Sequence, residues 1–484
     1  MLLRNLRISG SSGELVDILP INGTIASISP ASGKTMISGK TMGLDLEGRW
    51  VSPGLWDNHV HFSQWALVQQ RLDVSTAASA REAAAMVARA LEDAAPEPEP
   101  FIGYGFRDAL WHDAPTVEAL DAAGGARPIV LVSADIHAVW LNSSALSLFG
   151  HAGHPTGILV EEPAFAITRR LATVADVVLD RWVESASNAA AARGVVGIVD
   201  LEMDWNLDPW VRRIEAGNRS LRVDFGVYAQ HLERAIDLGL RTGQKINDLL
   251  TVGPLKLITD GSLNTRTAFC FEEYPGLEGT ELSRGMLTLP PEELLPLMRR
   301  GAEGGLLPTV HAIGDHANSL ALDAFAEIGM GGRIEHAQLL AERDLARFAE
   351  LNVVASVQPD HALDDRDVAD HYWAGRTGRA FAIRSLLDAG AELAMGSDAP
   401  VSPLDPWNTI AAAVTRSRGE REPWHPEQRV SVAEALTASV RSSVATGQVA
   451  DLVITEVDPL AVDDVRGMTV SATLLGGGFT HNAL

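Results

Sequence analysis

Val51-Ser52-Pro53-Gly54-Leu55-Trp56-Asp57-Asn58-His59-Val60-His61-Phe62 is the stretch on which the reading of this chain turns. It reads as one strand over Val51–Phe62 that ends in two histidines two positions apart. Side chains at i and i+2 of a strand share a face, so His59 and His61 point the same way. Imidazole is a common ligand for zinc-like ions, and two on one rigid strand suit a preorganised site. Alone, a His-x-His pair is weak evidence, because half-buried structural histidines share the spacing.

Outward from this stretch, short apolar segments alternate with helical patterns. The further strand candidates are Val196–Leu201, Leu221–Val227, Pro254–Thr259, Leu307–Ala312, Arg333–Ala337, Val353–Val357 and Ala391–Gly396. Between them, Pro291–Glu303, Ala317–Ile328 and Glu342–Leu351 carry apolar residues at helical spacing. Repeated β-then-α order implies parallel strands, and eight units point to an α/β fold of the closed (β/α)8 TIM-barrel type.

Active sites of such barrels are built at the C-terminal ends of the strands. Further chemistry-bearing residues fall there. Lys256 lies in the apolar run Leu255-Lys256-Leu257-Ile258, His311 ends Leu307–Val310, His336 lies near the end of Arg333–Ala337, and Asp398 follows Leu393–Ser397. A lysine in a core strand is costly unless paired or chemically altered. Snorkelling from a strand end is the plain alternative for Lys256, and a Schiff-base lysine is a chemical one. For Asp398 the plain alternative is a helix cap before Pro400.

Three regions lie outside the simple β/α alternation. Residues 1–50 hold β-like pieces (Leu15–Leu19, Thr24–Ile28, Leu44–Trp50), and residues 440–484 hold Ala450–Thr455 and Ser471–Leu475. Each flank is too small to bury a core, so the two are expected to pair into one small β-sandwich beside a barrel spanning 51–439. The interval 63–195 is too long for a crossover. Its helix Ala80–Ala94, Pro/Glu linker Ala95–Pro100, strand Phe101–Phe106 and apolar run Pro128–Ser133 read as an inserted lid subdomain over the barrel mouth. Trp56, Trp65, Trp111 and Trp140 fall in or near this lid, as a binding wall or as lid core.

Bulk properties exclude several classes. The 484 residues carry 39 basic and 63 acidic side chains, a net charge of −24, which argues against nucleic acid and anionic membranes as partners. No apolar run reaches the roughly 18 residues of a membrane span. No signal peptide is legible at the start. The single cysteine, Cys270, fits a reducing compartment, so the expected location is cytoplasmic. A homodimer is the default assembly.

The motifs PGLWDNHVHF, LKLITDGSLNTRTA, HAIGDHA, RIEHAQ and GSDAPV occur in an order that resembles the amidohydrolase superfamily. The specific likeness is to its YtcJ-like, or N-substituted formamide deformylase-like, branch. It extends through the insertion (Pro115-Thr116 to Asp121, Asp135-Ile136-His137 to Asn142) and into Ala450-Asp451-Leu452. The resemblance implies a distorted barrel binding one or two divalent ions, zinc foremost. His59 and His61 would hold one ion, His311 and His336 a second, and Lys256, carboxylated by CO2, would bridge them. Asp398 would bind metal and shuttle a proton from the attacking water to the leaving nitrogen, the attack being by a metal-activated hydroxide. His137, Asp260 and Arg266 are the candidate substrate contacts, although turn formation equally explains Asp260-Gly261. Asp315 reads as a capping or supporting residue, and His361 as a residue of the mouth. His316 stands where relatives often carry arginine.

The expected reaction is hydrolysis of a C–N bond in a small non-peptide amide or formamide. Ester or lactone hydrolysis on the same metals is an alternative, and metal-independent Schiff-base chemistry at Lys256 a more distant one. Deaminases of the superfamily usually place a glutamate soon after the strand-five histidine. Here Ala312-Ile313-Gly314-Asp315 follows His311.

Overall fold

The computed structural model describes residues 1–31, 43–92, 99–171 and 174–484. The end of the helix expected over 80–94 and most of the Pro/Glu linker lie outside them.

Eight parallel strands follow one another around the sheet in chain order: Leu55–Val60, Val195–Asp200, Arg222–Tyr228, Leu250–Ile258, Pro308–Ala312, Gly332–His336, Val353–Val357 and Leu393–Met395. The ring closes where the eighth strand runs out beside the first. There the Asp398 N–H donates to the His59 carbonyl (2.8 Å) and the His61 N–H to the Ala399 carbonyl (2.7 Å). Gly396 permits this approach, because a Cβ there would lie 2.6 Å from the His59 nitrogen. Strand residues of alternate parity feed one core with the outer helices. Leu255 and Leu257 pack with Leu294 and Met298 of helix Pro291–Gly304 and with Ala321 and Phe325 of helix Asp315–Ile328. Each such large side chain contributes about 1.5–3 kcal/mol by leaving water.

Two expectations for the barrel strands change. The stretch 51–62 is two strands in different sheets: Trp50–Pro53 joins the flanking sheet, and the chain enters the barrel at Gly54, where a Cβ would run into Val196. The fourth barrel strand starts at Leu250 rather than Pro254. Proline is accommodated inside it because the register with the third strand slips between Phe225 and Val227, a bulge that frees the missing donor from the ladder.

Both chain ends build the flanking sheet. Trp50–Pro53 pairs antiparallel with Leu452–Thr455 and parallel with Leu2–Ile8, a strand the sequence reading did not anticipate. The expected strand Leu44–Trp50 breaks into Gly43–Asp45 and Trp50–Pro53 around left-handed Glu47 (φ 54°) and Gly48 (φ 82°). Between the first and second barrel strands sits a five-stranded sheet, ordered Ile158–Val160, Ala138–Leu141, Ile129–Ser133, Phe101–Phe106, Leu72–Asp73. Trp111 and Trp140 pack within it, their rings 6.5 Å apart, with Phe106, Val74 and Leu131 in the same cluster. Among the described residues, no helix is long and apolar enough to cross a membrane.

Candidate metal centre and substrate cavity

The first barrel strand places His59 and His61 at its C-terminal end, both buried. Their Nε2 atoms each lie 3.3 Å from Oδ1 of Asp398, which reaches over from the eighth strand on left-handed backbone (φ 57°). The other carboxylate oxygen, Oδ2, is 3.9 Å from Nδ1 of His336 and 3.9 Å from Nε2 of His361. Two triads therefore share one aspartate: His59, His61, Asp398 and His336, His361, Asp398.

These residues fit a divalent cation. His59 Nε2, His336 Nδ1, His361 Nε2 and Asp398 Oδ1 are buried with no hydrogen-bond partner among the described residues. An unmet buried polar atom costs about 1–3 kcal/mol, and four together mark a place shaped for an ion. Burial, aided by the Lys256 ammonium for His59 and by His311 for His336, lowers the pKa of both imidazoles. Metal binding needs that neutral form. Burial would raise the Asp398 pKa, but the surrounding histidines hold it well below the usual carboxylate range.

Lys256 is buried in the barrel interior, where burial lowers its ammonium pKa to about 8 against the opposing pull of Glu335 and Asp398. His311 stands beside His336, ring centres 4.4 Å apart. Its Nε2 instead faces Asp260 Oδ1 and the Gly261 carbonyl, both at 3.5 Å. His311 belongs to neither of these two triads, and His361 completes the second. His361 follows the seventh strand in the short helix His361–Asp364.

Glu335 is the supporting residue that sequence reading missed. Its Oε2 lies 2.7 Å from Nδ1 of His59, while Oε1 accepts from Thr309 Oγ1 (2.5 Å) and pairs with Arg333 Nε (3.0 Å). Strand parity would send Glu335 and His336 to opposite faces. The left-handed backbone at His336 (φ 73°) lets both serve one centre. Asp57 also supports the centre, accepting from the backbone N–H of His59 (3.2 Å) and Ser397 (2.9 Å).

Over the centre opens a cavity of about 800 Å³, counting the solvent at its mouth. His137 reaches its wall from the lid, with Nδ1 3.0 Å from Glu161 Oε2. Burial alone would lower the His137 pKa. The Glu161 charge and hydrogen bond override it and hold the imidazolium to about 9. Glu161 in turn accepts from Thr265 (3.1 Å) and Thr267 (2.5 Å), so the barrel loop after strand four braces the lid residue. Tyr228, Phe165, Met203 and Ile258 complete much of the wall.

Two expected substrate contacts are not brought there. The Asp260 carboxylate is taken up by the backbone N–H groups of Phe269 (2.9 Å), Ile313 (3.0 Å) and Gly314 (2.8 Å), which fixes the loops after strands four and five. Arg266 lies over the Tyr372 ring, 5.4 Å from its centre, outside the cavity lining. Asp315 accepts from the Phe271 N–H and pairs with Arg379, and His316 stacks between Phe269 and Phe271. Both act in loop packing.

Comparison with known proteins agrees with this architecture. A family model described as the amidohydrolase family matches residues 43–481. Protein LONG AFTER FAR-RED 3 of Arabidopsis thaliana is 31% identical, covering 97% of this chain and 89% of that protein. N-substituted formamide deformylase of Arthrobacter pascens is 25% identical, covering 90% and 89%. The crystal structure of an uncharacterized metal-dependent hydrolase from Pyrococcus horikoshii superposes with a TM-score of 0.78 at 24% identity, over 96% of this chain and 99% of that one. The chain belongs to the amidohydrolase family.

Proposed function

We propose that this protein hydrolyses a small non-peptide amide, with N-substituted formamides as the leading class. Family membership makes it a metal-dependent hydrolase of carbon–nitrogen bonds other than peptide bonds. The finer reading rests on one observation: ring nitrogens of His59, His61, His336 and His361 converge on a single buried aspartate at the floor of a largely apolar cavity.

In this reading His59, His61, His336, His361 and Asp398 hold the metal, with His311 and Lys256 beside them. A divalent cation, zinc foremost, supplies Lewis acidity towards water and the scissile carbonyl. Asp398 Oδ2 takes the proton of the attacking water and returns it to the leaving nitrogen. The Tyr228 hydroxyl is buried without a partner, and burial pushes its pKa well above the usual tyrosine value, so it stays a donor for the substrate oxygen. The His137 imidazolium holds the substrate from the lid side. A lysine amine with a pKa of about 8 is roughly one-tenth neutral at pH 7. That form adds CO2, and a carboxylated Lys256 is part of the proposal.

The test is a panel of N-alkyl and N-benzyl formamides, matched acetamides, and the corresponding formate and acetate esters and lactones, assayed with metal-loaded protein. Formamide turnover that Asp398→Asn abolishes supports the reading. Turnover of esters alone would replace it with the ester and lactone alternative.

A further inference from the structure

A second pocket, of about 430 Å³ counting the solvent at its open mouth, lies beside the first, between helix Phe62–Val68 and the lid. Its walls include Leu67, Val68, Ile102, Val132 and Leu171. Ile136 lines both cavities. A smaller space shares Ile136, Phe165 and Met203 with the first cavity and Ile136, Gln64 and Thr168 with the second.

The wall is polar chiefly at Arg71 and Thr168. The Arg71 guanidinium is half-buried and donates from Nη2 to the Leu171 carbonyl (3.3 Å). No carboxylate pairs with it among the described residues. The nearby cations differ: Arg107 is met by Asp364 and Asp365, and Arg418 by Asp360 and Asp364. The Thr168 hydroxyl is buried without a hydrogen-bond partner. Removing a charge from water without a counter-ion is costly, and a guanidinium recovers most from a carboxylate that takes two of its N–H groups. A hydrocarbon alone would leave Arg71 unmet, and a fully polar ligand would face apolar walls.

We infer that this side cavity is a specificity subsite for an apolar substrate arm ending in a carboxylate, received by Arg71, with Ile136 as the corner around which the arm turns. The inference rests on the amide reading only for what happens at the other end of the arm.

Calorimetric titration of the metal-loaded full chain with octanoate, and with neutral octanamide, tests it without turnover. Octanoate should bind, octanamide should bind more weakly, and Arg71→Gln should weaken octanoate by about tenfold or more. Val68→Trp, which fills the cavity, should lose octanoate binding, and Arg71→Lys should retain part of it. Octanoate binding unchanged in Arg71→Gln would place the carboxylate on the metal centre and overturn the inference, as would absent binding to the parent protein. Arg71-dependent binding with no amide hydrolysed would leave the subsite standing and remove the amide reading.

Discussion

Glu335→Gln removes one negative charge from the barrel interior at almost constant volume, and its cost can be worked from the contacts. The carboxylate sits 2.7 Å from His59 Nδ1, pairs with Arg333 at 3.0 Å and is fully buried. Burial would raise its pKa, but Arg333 and His59 hold it well below the usual carboxylate range, so it is ionised. A carboxylate accepting the Nδ1–H of a ligand histidine fixes the ring and makes the far nitrogen more basic. The amide of glutamine keeps one acceptor oxygen but loses the charge. Loss of such a partner costs about 10- to 100-fold in metal affinity, or about 1.4–2.7 kcal/mol. Arg333 keeps the Asn58 carbonyl and Ser356 as partners (both 2.8 Å), which should preserve the fold. Competition against a chromophoric chelator measures the affinity, and circular dichroism checks the fold. An unchanged affinity in a folded variant would refute the supporting role of Glu335.

Other outcomes follow from the same contacts. His361→Ala should lower metal occupancy and turnover, whereas His316→Ala should leave occupancy unchanged; elemental analysis of both variants separates them. Gly396→Ala forces a methyl against the His59 backbone, so thermal unfolding should show a loss of roughly 1–3 kcal/mol. Glu434 caps helix Val432–Thr437, and its hydrogen bonds to Arg384 and Ser431 lower its pKa from 4.5 to about 2. Its stabilisation is present above about pH 4.5 and is lost as pH falls towards 2. With the side chain 38% exposed, solvent screening reduces it to about 1 kcal/mol. Glu434→Gln should flatten that part of the stability profile in denaturant titrations.

The barrel was legible because its strands are short, apolar and regularly interleaved with helical periodicity, and His59, His61, His336 and Asp398 because strand ends are where barrels carry chemistry. Other features depend on backbone that the sequence pattern does not display. His336 and Asp398 adopt left-handed conformations, so period-two parity hides Glu335 from the site. Glu161, also left-handed, meets Thr265 and Thr267 from more than 100 positions away. Asp260 looked like a substrate contact because the donors that consume its carboxylate are backbone N–H groups, Phe269 further along its own loop and Ile313 and Gly314 in the loop after strand five. Leu2–Ile8 escaped notice because Arg4, Asn5 and Arg7 obscure its alternation, although Leu3 and Leu6 are buried.

The central claim is that a divalent ion sits where the histidines meet Asp398. Elemental analysis of protein purified without chelator, followed by chelation and re-addition of metal, tests it most directly. One or two ions per chain, with activity lost on chelation and restored by metal, is the expected result. Two ions would favour a site bridged through Lys256, and one would favour a single centre. Protein that takes up no ion, and whose turnover survives chelation, would contradict the account and turn attention to the Lys256 amine.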